Sequence, residues 1–171
     1  MSEDNINIEE QVISILLSDK ESAKDWGSHP VGLTFFDPIH EKILSGIQYS
    51  NNAGVQLTRD AYKSFLSEYK KVNSPNELAA QMSLYTRCLM KAAKTDELPI
   101  LLDRVRTSHI NRKTVVHFNE YKKEKEKQGV LGANHSLIEK LMALEADAAE
   151  NKSTFVELSA AREKFMKALR D

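Results

Sequence analysis

Apolar residues recur along this chain at spacings of three and four with charged positions between them, and no stretch alternates as a half-buried strand would. Asn7 can cap a first helix, with Glu10 three residues on and Val12, Ile13, Leu16 and Leu17 as its apolar stripe. A short helix from Glu21 to Trp26 is broken by Gly27-Ser28-His29-Pro30. Asp37-Pro38 is a strong start, because Asp accepts from free amides and Pro fits the first helical position. The helix it opens carries Ile39, Ile43, Leu44 and Ile47 on one face and ends at Asn51-Asn52-Ala53-Gly54. Thr58 begins the next, with Ala61, Tyr62, Phe65, Leu66 and Tyr69 at helical spacing. Ser74-Pro75-Asn76-Glu77 reads as a capping box for a helix running to Lys94. Together these predict a compact helical head over residues 1–98.

Beyond Pro99 neither Gly nor Pro occurs until Gly129, which allows one helix of roughly 30 residues, about 45 Å long. Its first half holds Leu101, Leu102, Val105, Val115, Val116 and Phe118; after Tyr121 it is polar on every side and is expected to leave the core. Gly129 to Gly132 are expected to turn the chain, with Ser136 and Glu139 capping a returning helix. That helix presents Leu137, Ile138, Leu141, Met142 and Leu144, more apolar surface than the charged end of its partner can cover, which marks these residues for self-association. Packing back on the head is the alternative. Residues 99–152 thus form a protruding helical hairpin, and 153–171 a last amphipathic helix whose Leu158, Phe165 and Leu169 would dock on something else. The fold class is all-α.

Composition changes this picture little. The 171 residues are 41% hydrophobic and 29% charged, a balance that excludes disorder. The N-terminus lacks a signal-peptide layout, and no apolar run approaches the roughly 20 residues of a membrane span, so a cytoplasmic protein without membrane contact is expected. The net charge of -1 supplies no general attraction to nucleic acid. Locally, eight Lys or Arg face four Asp or Glu between Asp103 and Lys127, and Arg104, Arg106, Arg112 and Lys113 are the possible nucleic-acid contacts. A solvated helix face with Lys/Glu pairs is the favoured explanation of them.

Catalytic chemistry is hard to find. Gly27-Ser28-His29-Pro30-Val31-Gly32-Leu33-Thr34 has the glycine spacing of a phosphate-binding loop, but Leu33 stands where lysine is required. His109 and His117 lie about 12 Å apart along one helix, too far to share a metal. His40 reads as structural, and the acids Glu9-Glu10 and Asp96-Glu97 as helix-start charges. Cys88, the single cysteine, suits a core position better than a nucleophile. No catalytic residue, cofactor site or metal site is predicted.

Several segments resemble a family in order. Ile8-Glu9-Glu10-Gln11-Val12-Ile13-Ser14-Ile15-Leu16-Leu17 resembles the Glu-Gln-x-Val-Leu-Gly-x-Leu-Leu start of DnaB-type replicative DNA helicases. Phe35-Phe36-Asp37-Pro38-Ile39-His40-Glu41-Lys42-Ile43-Leu44 is similar to that family's Phe-Tyr-x-x-x-His-x-x-Ile-Phe. Gly54-Val55-Gln56-Leu57-Thr58 stands where the family has Gly-x-Pro-Val-Asp-Leu, and Leu101 through Lys113 is similar to its arginine-rich helix. Ser14 or Ile15 replaces the family glycine and a Gly-Gly-x-x-Tyr-Leu segment is absent, departures that point to a phage or mobile-element relative. The resemblance implies a non-catalytic N-terminal collar that assembles with itself and docks primase or a helicase loader. ATP, Mg and most DNA contact would belong to a separate motor domain, with a linker helix between. A stand-alone helical DNA-binding or regulatory protein is the alternative.

Overall fold

The computed structural model describes residues 3–91 and 93–148, and all regular structure in them is helical. The predicted final helix, with Leu158, Phe165 and Leu169, lies outside the described residues. Helices α1 (Glu3–Ser18), α2 (Lys20–Gly27), α3 (Pro38–Asn52), α4 (Arg59–Glu68) and α5 (Pro75–Leu89) precede a long helix, α6 (Leu98–Ala148), interrupted only at Gly129. The described residues divide into two compact units between Val105 and Arg106, inside α6.

Side-chain caps set the starts of α2, α3 and α4. Asp37 accepts from the Ile39 amide at 3.0 Å, and Pro38 follows it. Thr58 accepts from the Ala61 amide at 3.2 Å. Asp19, absent from the predicted caps, holds the start of α2 through Ser22. At Ser74 the box is incomplete. The hydroxyl makes no capping bond, and Glu77 reaches across to Lys42 instead of back. α1 starts four residues before Asn7, whose side-chain oxygen is occupied by Lys91. α5 stops at Leu89 rather than Lys94.

The first unit is built around Ile13, Leu16, Ile43, Leu44, Tyr62, Leu66 and Leu84, closed by Leu98, Leu101, Leu102 and Val105 from the start of α6. The core tolerates little extra volume at Gly46, where a Cβ would stand 3.0 Å from the Tyr62 ring and 3.2 Å from Leu57. Tyr62 cannot step aside freely, because its hydroxyl donates to Gln81 at 2.8 Å while its ring stacks on Tyr85.

The second unit is an antiparallel helix pair. Gly129 (φ 77°, ψ 175°) is its only non-helical residue among the described ones, so the reversal needs one residue instead of the predicted four. Ser136 consequently lies within the returning arm and caps nothing. The arms meet along Ile110, Leu137, Leu141 and Leu144, flanked by Phe118 and Tyr121. Tyr121 donates to Asn134 at 3.0 Å, and Lys140 bridges Glu120 and Glu124 at 2.8 and 3.0 Å.

Candidate functional site

Those contacts change the role of the leucine stripe. The pattern predicts Leu137, Leu141 and Leu144 free for a second copy; they are buried within their own hairpin. Ile110 and Phe118 supply the cover that the sequence of the outgoing arm hides. Of the five residues assigned to self-association, Ile138 is half-buried and Met142 is exposed. Val115, Val116 and Leu131 are further exposed apolar positions of the same unit.

The basic stretch is also thinner than its sequence. Arg106 is buried and donates to the Asp147 carbonyl, which removes it from the possible nucleic-acid contacts. Arg112 is half-buried, 3.4 Å from the Ser108 hydroxyl; Arg104 and Lys113 remain exposed. With two of the four candidate contacts exposed, single-stranded DNA binding should be weak and fall steeply between about 50 and 200 mM salt. Tight, sequence-selective binding at the higher salt in a fluorescence titration would instead favour a DNA-binding protein.

The Gly27–Thr34 loop cannot cradle a phosphate. Its Val31 amide is taken by the His29 ring at 3.1 Å, and its Gly32 amide by the Pro30 carbonyl at 3.0 Å. Trp26 ties the loop down, donating to the Val31 carbonyl at 2.8 Å. Cys88 is fully buried; desolvation, reinforced by the Glu10 carboxylate, pushes its thiol up to about 12 against Arg87 and Lys91. It is a core residue. Among the described residues no group of His, Cys, Asp and Glu could hold a metal, and no helix is long and apolar enough to cross a membrane. His117 faces Glu120 at 3.4 Å.

Sequence reasoning missed two buried acids. Glu9 and Glu10 lie inside α1 and face the core, so they are not helix-start charges. Glu9 sits 2.6 Å from the His40 Nδ1 and accepts the Asp37 amide at 2.8 Å. Burial raises the Glu10 carboxyl, but hydrogen bonds from Arg87 and Lys91 outweigh it and hold the group below its usual range. Their pairing distances are 2.7 and 2.9 Å. The available signal was position. Glu9 is spaced three and four residues from Val12 and Ile13, so it falls on the apolar stripe where a charge requires a partner.

Comparison with known proteins adds no neighbour: no family model, curated protein or solved structure matches this chain.

Proposed function

We propose that this chain is the non-catalytic N-terminal collar of a DnaB-type replicative helicase, assembling with further copies and docking a primase or loader in the cytoplasm of a bacterium or phage-infected cell. The order of parts carries the proposal: a five-helix head is followed by an antiparallel helix pair reversing at Gly129. The head adds support, because Glu9 joins the two segments that hold most of the resemblance, Ile8–Leu17 and Phe35–Leu44. ATP, Mg and translocation on DNA would belong to the motor domain.

With the leucine seam occupied internally, Ile138 and Met142 are the two of the five assigned residues left for a two-fold contact. Light scattering of the purified chain should give a dimer or larger assembly. Ile138→Glu with Met142→Glu should lower that mass while circular dichroism keeps its helical signal. The same preparation should show no ATP turnover. A monomer at about 100 μM, where even a weak dimer of μM Kd would form, would count against the collar; so would ATPase activity that co-purifies through several columns.

A further inference from the structure

We infer that a groove along the outer face of α5 binds an acidic amphipathic helix of a partner protein. α5 carries two stripes. Gln81, Leu84, Tyr85 and Cys88 face the core. Leu78, Ala79, Met82 and Thr86 lie on another face, with Leu78 and Met82 only half covered, and Met90, 79% exposed, follows at the C-cap. Leu78 and Met82 border the head core with part of their surface, and Ala79, Thr86 and Met90 continue the stripe exposed.

Three hollows adjoin along this face. A hollow of about 730 Å³ over Ala79, Met82, Thr86 and Met90 shares Arg59, Ala79 and Met82 with a second, of about 370 Å³, toward Pro75. It shares Arg59 and Thr86 with a third, of about 530 Å³, that reaches Leu57 and Leu89. From Pro75 to Leu89 the helical rise amounts to about 21 Å, the length of a helix of roughly four turns. Helix-in-groove recognition uses anchors three and four residues apart, and methionines adapt to their shapes.

Charge selects the occupant. Arg59, Lys63, Arg87 and Lys91 line the groove, against Asp60 as its one acidic lining residue. Arg87 and Lys91 neutralise Glu10 beneath them, although the Arg87 side chain stays half exposed. Arg59 and Lys63 enter no ion pair among the described residues. Arg59 borders all three hollows. The chain's own residues 149–171 suit the groove poorly, with five Lys or Arg against four Asp or Glu. An apolar floor under a basic rim fits an acidic helix with one apolar stripe.

This deepens the docking role proposed above, and it can fail separately from it. The test uses the whole chain and a labelled 16-residue synthetic helix with leucines on one stripe and glutamates elsewhere, followed by fluorescence anisotropy. A lysine version and a scrambled glutamate version are the comparators. The acidic helix should bind at least about tenfold more tightly than either, a difference of roughly 1.4 kcal/mol. Arg59→Glu with Lys63→Glu should erase that preference, and Met90→Glu should weaken binding about as much. Circular dichroism checks that each variant is folded. Equal binding of the lysine helix, or an acidic helix indifferent to both variants, overturns the inference. So does a fall in native molar mass on Met90→Glu, which would make a second copy the occupant. A monomeric chain that still takes up the acidic helix keeps the groove and loses the collar.

Discussion

Replacing His40 with alanine should cost the head about 3–5 kcal/mol, the range measured when one partner of a buried charged pair is removed. His40 and Glu9 are almost completely shielded from water, and their 2.6 Å contact sets a polar partner against the buried carboxyl. The Glu9 carboxyl meets the ring at Nδ1, on the side away from Nε2. That Nε2 is buried with no hydrogen-bond partner among the described residues. The ring therefore already bears one unsatisfied atom, and the Glu9 contact is what compensates it. Alanine removes the ring nitrogen that faces the carboxylate and opens a cavity beside Glu9. Glu9→Gln, which keeps an acceptor for the Asp37 amide and removes the charge, should lose less, about 1–2 kcal/mol on the scale of a single hydrogen bond. Urea unfolding measures both, and the double variant measures their coupling. A His40→Ala protein within about 1 kcal/mol of the parent would show that the pair is not holding α1 to α3.

The uneven legibility of the sequence has the same physical source. α3 and α4 could be read nearly to the residue, because a cap such as Asp37 or Thr58 and an apolar stripe are both local signals. Glu9 and Glu10 could not. A carboxylate near a chain start satisfies the free-amide rule equally well whether it ends up in solvent or against His40 and Arg87, residues 31 and 77 positions away. The hairpin seam failed for a related reason. Ile110 and Phe118 are eight residues apart in a helix whose later part is charged, and only the register of the returning arm brings them onto Leu137, Leu141 and Leu144. The outer stripe of α5 was hidden by composition. Alanine, methionine and threonine read as ordinary helix formers until the inward face was known to be Leu84, Tyr85 and Cys88.

Gly129→Ala should open the hairpin into one continuous helix. At φ 77° and ψ 175° the backbone occupies a region open essentially to glycine alone, and a side chain there costs about 1–3 kcal/mol. In the straight alternative the preference reverses, because alanine is favoured over glycine inside a helix by about 1 kcal/mol. The two effects add to roughly 2–4 kcal/mol in favour of a straight α6, about 77 Å long over its 51 residues. Straightening separates Ile110 from Leu137, Leu141 and Leu144, and leaving those leucines in water opposes it. A second copy removes that opposition. Two straight helices lying antiparallel can rebuild the same seam between chains, a domain swap in which each hairpin is completed by its neighbour. Molar mass alone would not separate this from a dimer of intact hairpins, so the distance within one chain is the deciding quantity. Spin labels on Lys113→Cys and Ala143→Cys, both exposed positions, report it, while buried Cys88 with its thiol pushed up to about 12 escapes labelling. Labelled chains diluted with unlabelled ones should show a separation set by two packed helices, about 8–10 Å between axes plus the label arms, when Gly129 is present. In the Gly129→Ala variant it should lengthen to about 45 Å, the rise of 30 helical residues. A short distance surviving in that variant would mean that the seam, rather than the glycine, turns the chain.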